Sequence, residues 1–115
     1  MNILGIECAP NAKARGRVKV GELYDGVEVT IPVRIVRGAK EGPTVSMTAL
    51  IHGDEYNGMD LINRLFEELD PAQLCGALVG VPVANPFAFY LARRISDFEY
   101  ERTNLNRAFP GNPAG

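Results

Sequence analysis

The chain contains a single histidine, His52, and three residues later a glutamate, Glu55, in the run His52-Gly53-Asp54-Glu55. Imidazole nitrogen and carboxylate oxygen are both regular zinc ligands. Residues three apart on a helix share a face, so the pair can converge on one ion if helical geometry begins here. Gly53 lets the backbone turn sharply and puts no side chain beside the metal. A plainer reading also stands, in which Asp54 and Glu55 complement the positive end of a helix. A second group is Asn104-Leu105-Asn106-Arg107, followed by Phe109-Pro110-Gly111. An amide beside a guanidinium can hold a carboxylate through several hydrogen bonds, and Arg93 and Arg94 offer a second positive clamp. Spacing alone favours a polar loop with solvated arginines.

The elements that must position these residues follow from the hydrophobic pattern. Residues 15–23 lead into Tyr24-Asp25-Gly26, and Asp-Gly is a strong hairpin signal. Val27, Val29, Ile31, Val33 and Ile35 then alternate with Glu28, Thr30, Pro32 and Arg34, a period of two that marks a strand with one wet face. Pro32 has no backbone donor, which places this strand at or near a sheet edge. After a polar turn at 38–42, residues 45–51 are apolar nearly throughout and predict a more buried strand. His52 stands at its C-terminal end, where open α/β sheets bind ligands. A helix is predicted over roughly 58–69: Leu61, Leu65 and Leu69 fall four apart, with Ile62 and Phe66 beside them in one apolar stripe. Asp70-Pro71 stops it. Residues 77–83 make another strand, ended by Asn85-Pro86.

Strand, helix and strand in this order imply a right-handed crossover between parallel strands, and the hairpin adds antiparallel ones. The expected class is therefore α/β with a mixed sheet. Residues 87–94 fit a short helix, and 95–115 read as irregular loop with no closing element.

Composition narrows the function classes. The chain has 115 residues, enough for one domain. With 46% apolar and 23% charged residues it has a globular composition, not a disordered one. A net charge of −2 gives no general affinity for nucleic acid or acidic membranes. Arginine outnumbers lysine nine to three, which mildly suggests carboxylate binding. Cys8 and Cys75 form neither a disulfide framework nor a metal motif, and both can be reduced and partly buried. The N-terminus lacks a basic start followed by a long apolar stretch, and no apolar run spans a membrane, so the expected location is the cytoplasm.

Together, His52-Gly53-Asp54-Glu55-Tyr56-Asn57-Gly58, Asn85-Pro86 and Asn106-Arg107 with Phe109-Pro110-Gly111 resemble the succinylglutamate desuccinylase and aspartoacylase family, part of the zinc carboxypeptidase superfamily. The resemblance covers residues 45–111. It implies the N-terminal part of a mixed-sheet, zinc carboxypeptidase-like (phosphorylase/hydrolase-like) fold. Residues 1–115 would then be the first portion of one catalytic domain. It implies Zn2+ held by His52 and Glu55, and a substrate carboxylate held by Asn106, Arg107 and Arg94, with Arg93 the alternative to Arg94. A third zinc ligand, a histidine, and a general-base glutamate are expected downstream, so no catalytic residue is assigned within the chain. The family's Asp-Leu-Asn-Arg stands here as Asn104-Leu105-Asn106-Arg107, which removes a negative charge beside the site.

The implied activity is zinc-dependent hydrolysis of the amide bond of an N-acyl amino acid or related small amide. Two alternatives remain open on the sequence. One is a metallocarboxypeptidase acting on peptides. The other is a non-catalytic fragment that binds metal or self-associates, since an unfinished sheet exposes a strand edge. Homo-oligomerisation stays open.

Overall fold

The computed structural model describes residues 1–94 and 104–114. Two short strands, β1 (Asn2–Ile3) and β2 (Ile6–Glu7), pair antiparallel. The main sheet comprises β3 (Ala12–Glu22), β4 (Glu28–Arg37), β5 (Lys40–Thr48) and β6 (Cys75–Val81), in the order β3-β4-β6-β5. The β3–β4 and β4–β6 pairs are antiparallel, and β5–β6 is parallel. Helix α1 (Asn57–Glu68) joins β5 to β6, and a short α2 (Pro86–Tyr90) follows. The expected hairpin, strand, helix, strand order and mixed sheet are all present. The part of the expected loop at 95–103, and residue 115, lie outside the described residues.

The hairpin turns where Asp25-Gly26 directs it. Gly26 has φ +84, and the Val27 amide donates to Asp25 Oδ1 at 3.1 Å. Along β3 the side chains then separate by parity. Ala12, Ala14 and Val18 pack towards Cys8, Val33, Ile35 and Val79, under β2. On the other face Lys13, Arg15 and Arg34 surround the ring of Phe66 from α1, at 5.5, 5.1 and 5.7 Å from its centroid. Cations over an aromatic face are attracted by its quadrupole. Burial of Arg34, with Arg15 and Arg17 close by, lowers its pKa despite the opposing pull of Glu67.

The Pro32 strand lies near the sheet edge, as expected: β4 is second in the order, between β3 and β6. Pairing with β6 covers only Arg34 to Arg37, so at Pro32 the strand has a neighbour on one side alone and the missing donor costs little. Two expectations need correction. The strand expected to be buried is the exposed one. β5 pairs only with β6, and of its residues only Met47 is partly buried; burial begins at Ala49 and Leu50, after the strand. Finally, the buried line of α1 is Ile62 and Phe66, whereas Leu61 is 50% exposed. Ile62 lies against Gly80 of β6, where an added Cβ would come within 2.5 Å of its Cγ2. Of the cysteines, Cys8 is buried and Cys75 exposed, and both are free. Among the described residues no helix is long and apolar enough to cross a membrane.

This packing separates two neighbouring helix positions. Ile62→Ala is expected to cost about 2–5 kcal/mol through lost burial and a residual cavity, whereas Leu61→Ala should change stability by less than about 1 kcal/mol. Urea unfolding of both variants measures the difference, and equal losses would contradict the observed helix orientation.

Candidate active site

Beyond β5 and β6 the two chain segments stay hydrogen-bonded. The Ala49 amide donates to the Val81 carbonyl, Ala84 to Ala49 and Asn85 to Leu50, at 2.9, 2.9 and 3.0 Å. Leu50 is buried with φ 55, a left-handed conformation rare for a branched side chain. Asn85 braces that bend from below. Its Nδ2 donates to the Ile51 carbonyl at 3.2 Å, and its Oδ1 accepts the Ala88 amide at 3.3 Å, capping α2. The sequence marks Asn85 as the end of a strand and as part of the Asn85-Pro86 block; the hint of this bracing role is the Asn-Pro pair, which suits the start of a helix.

From that brace the chain delivers His52, 5% exposed, into a tight turn closed by the Glu55 amide on the His52 carbonyl at 3.2 Å. Glu55 does not lie on the helix as expected, since α1 starts at Asn57. The turn brings the pair together instead, and His52 Nδ1 and Glu55 Oε1 come within 2.5 Å. Gly53 is required for a different reason than sharp turning. A Cβ there would lie 2.2 Å from the Ala88 carbonyl carbon and 2.3 Å from the Arg93 carbonyl oxygen. The Gly53 amide also donates to the Arg94 carbonyl at 3.2 Å. This close approach brings the end of the α2 segment to the site, and Arg94 Nη1 donates to Glu55 Oε1 at 3.2 Å.

The other ring nitrogen, His52 Nε2, lies 3.1 Å from Asn104 Oδ1. Asn104 also caps the short 3₁₀ turn Leu105–Arg107 by accepting the Asn106 amide at 3.0 Å. Thus His52, Glu55 and Arg94 meet directly, and Asn106 and Arg107 arrive on the turn that Asn104 holds. Asn106 and Arg107 are exposed. Arg93 contributes its backbone, which packs against Gly53 and donates to the Ala88 carbonyl at 2.9 Å. An open cleft of about 610 Å³ runs past Glu55 between residues 48–51 and 54–58, a volume suited to a small ligand.

The donor chemistry can be tested on this geometry. Asn104 Oδ1 accepts the Asn106 amide, so the end of the side-chain amide facing His52 is its oxygen. An amide oxygen carries no proton, and His52 Nε2 must be the donor. Nδ1 then turns to a carboxylate oxygen, where either a proton or a cation must sit between the two lone pairs. The pair therefore suits a divalent metal as two ligands, with nitrogen and oxygen donors of the kind zinc takes. Among the described residues no group of three His, Cys, Asp or Glu converges.

The succinylglutamate desuccinylase/aspartoacylase catalytic domain matches residues 41–115, more than half of the chain. The chain belongs to the succinylglutamate desuccinylase/aspartoacylase family. A curated relative, the N-alpha-acetyl-L-2,4-diaminobutyric acid deacetylase of Halomonas elongata, is 40% identical over 87 residues, which are 76% of this chain and 25% of that protein. Among solved structures, the succinylglutamate desuccinylase/aspartoacylase of Rhodobacter sphaeroides superposes with a TM-score of 0.76 at 31% identity, covering 90% of this chain and 32% of that one. The product-bound ectoine utilization protein EutE of Ruegeria pomeroyi gives 0.78 at 31% identity, covering all of this chain and 36% of that one. The chain thus spans about a quarter to a third of the length of these relatives.

The brace beneath His52 is directly testable. Asn85→Ala leaves the Ile51 carbonyl and the first turn of α2 without their partner, and is expected to cost about 1–3 kcal/mol in denaturant unfolding. Gly53→Ala should be at least as damaging, because backbone atoms of Ala88 and Arg93 block the added methyl group. Wild-type stability in either variant would contradict the arrangement described.

Proposed function

We propose that this chain supplies two metal ligands, His52 and Glu55, and the carboxylate-binding residues Asn106, Arg107 and Arg94, to a zinc-dependent hydrolase cleaving the amide bond of an N-acyl amino acid or related small amide. The observation that carries this reading is the meeting of His52 Nδ1 with Glu55 Oε1 while Nε2 is held by Asn104, in a chain of this family. The relative from Halomonas elongata, named as a deacetylase of an N-acetylated amino acid, supports the substrate class. When bound, zinc acts as a Lewis acid and lowers the pKa of water.

The chain's own residues perform the binding steps. His52 is fixed and buried, so its ring orientation is set before any ligand arrives. Glu55 is half exposed and shares one oxygen between His52 and Arg94. Were Glu55 to turn to a bound cation, the Arg94 guanidinium would be freed to take another partner, and a substrate carboxylate would be a suitable one. Arg94, Arg107 and the Asn106 amide would supply the charge-assisted hydrogen bonds that hold such an anion. A third protein ligand is needed for tight holding, and the general base is assigned to no residue described.

Zinc titration into the chain and into His52→Ala tests the metal site. The expected result is weak one-to-one binding that disappears in the variant; binding indifferent to His52 would overturn the assignment. For turnover of an N-acetyl amino acid by the full-length enzyme, Arg107→Ala should lower kcat/KM by roughly 10- to 100-fold, the loss of about 1.5–3 kcal/mol of charged hydrogen bonding. Unchanged kinetics, or faster cleavage of short peptides than of N-acyl amino acids, would count against the proposed substrate class.

A further inference from the structure

We infer that the open edge of β3 is a docking surface for an extended acidic segment of a partner protein, one in which carboxylates alternate with small apolar residues. Side chains along the strand alternate between faces. Lys13, Arg15, Arg17 and Lys19 share one face, and Ala12, Ala14, Gly16 and Val18 the other. β3 ends the sheet, with β4 on one side and, among the described residues, no strand paired on the other. Its register with β4 is unbroken from Ala12 to Lys19 and shifts between Lys19 and Gly21. At about 3.4 Å per residue that straight edge has room for a strand of about eight residues.

The basic face carries more charge than the fold neutralises. Lys19 is answered by Glu22 and Glu28. Among the described residues, Lys13, Arg15, Arg17 and Arg34 have between them one paired carboxylate, Glu67, which meets Arg15 at 3.8 Å. Lys13 donates instead to the Glu67 backbone carbonyl at 2.9 Å. Arg17 donates to Thr30 Oγ1 at 2.7 Å and to its carbonyl at 3.2 Å. Burial, with Arg15 close by, holds the Arg34 pKa below its ordinary value. The Phe66 ring and these neutral acceptors thus order the cations without discharging them. A preordered guanidinium loses less freedom when it takes a carboxylate.

Charge also decides the occupant. An unpaired edge invites a second copy, and basic residues along it discourage one. A second β3 laid antiparallel here and centred on Gly16 would set Lys13 against Lys19 and Arg15 against Arg17. Like charges directly opposite are destabilising, whereas opposite charges attract. The edge therefore rejects its own copy and accepts a strand with a carboxylate at every second residue. The alternate side chains of that strand would extend the apolar layer of Ala12, Ala14 and Val18, next to which Val20 is 56% exposed. In strand addition, backbone hydrogen bonds give affinity and alternate side chains give specificity. None of these residues belongs to the site around His52, so the inference stands apart from the proposed hydrolysis.

Fluorescence anisotropy of a labelled octapeptide of alternating glutamate and valine, measured with the full-length protein, tests the surface. Saturable binding that weakens as salt rises is expected, because exposed charges are screened. A peptide of the same composition with its glutamates in one block, and the alternating peptide N-methylated along its backbone, should each bind about tenfold more weakly. Arg15→Glu combined with Arg17→Glu should weaken the alternating peptide by about tenfold and favour a version with lysine in place of glutamate. Equal binding of the block or N-methylated peptide would reduce the effect to bulk charge and overturn the inference. Full affinity in the double variant, tighter binding of a single-stranded oligonucleotide than of the peptide, or no binding of the alternating peptide would overturn it too. The peptide comparisons use the wild-type protein, so they decide the matter even if the double variant fails to fold.

Discussion

The parallel pairing of β5 with β6 is the constraint on which the site depends. Register runs from Thr44 opposite Ala77 to Thr48 opposite Val81, and three further backbone hydrogen bonds continue it to Asn85. Two segments separated by a helix therefore leave the sheet side by side. One turns at Leu50 into His52; the other turns at Asn85 into α2 and returns Arg94 to Glu55. A one-residue slip in a strand reverses every side chain. Here it would also put Asn85 opposite the wrong carbonyl and remove the brace under His52. The geometry of the site is in this sense a continuation of the sheet's hydrogen-bond ladder, not an addition to it.

The site is also where the fold bears its polar cost. Burying polar groups without partners costs kilocalories each, yet none of the buried side-chain nitrogens and oxygens among the described residues lacks a partner. The main polar side chains buried here, His52 and Asn85, are both hydrogen-bonded to the loops they organise. The left-handed Leu50 is strain of order 1–3 kcal/mol, held in place because its flanking carbonyl groups are claimed by Ala84 and Asn85. The apolar layers on the two faces of the sheet, around Ile35 and around Ile62 and Phe66, supply the burial that offsets these costs.

Much of this was legible from residue order. Alternation from Val27 to Ile35, Asp25-Gly26 and the apolar stripe before Asp70-Pro71 each report a local periodicity or turn preference, and each produced its element. What failed was whatever depends on neighbours. A strand's own composition cannot say whether another strand lies beside it, so residues 45–51 read as buried although β5 is paired on one side only. Both rows of α1, Leu61-Leu65-Leu69 and Ile62-Phe66, are apolar, and only the glycine at position 80 shows which row can approach the sheet. Arg34 fell on the nominally wet face, where α1 covers it and its guanidinium lies over Phe66. In the site, the His-x-x-Glu spacing was visible, but the helix was credited with a convergence that a turn provides. Asn85 and Asn104 were visible only as parts of motif blocks, because their partners are 34 and 52 residues away.

The exposure of the site's parts is uneven, and that unevenness has a physical consequence. His52 is buried and restrained at both nitrogens, while the Glu55 and Arg94 side chains are 53% and 61% exposed. An exposed ion pair is worth little, of order 0–1 kcal/mol, because water screens it and two flexible side chains must be ordered. Exchanging the Arg94–Glu55 contact for another partner therefore costs almost nothing, whereas displacing the histidine would break the turn closed by the Glu55 amide and the Asn104 contact. The structure thus combines one rigid nitrogen donor with one adjustable carboxylate and a guanidinium that can readily change partners. That division suits a site that must keep a fixed reference point while admitting and releasing charged small molecules.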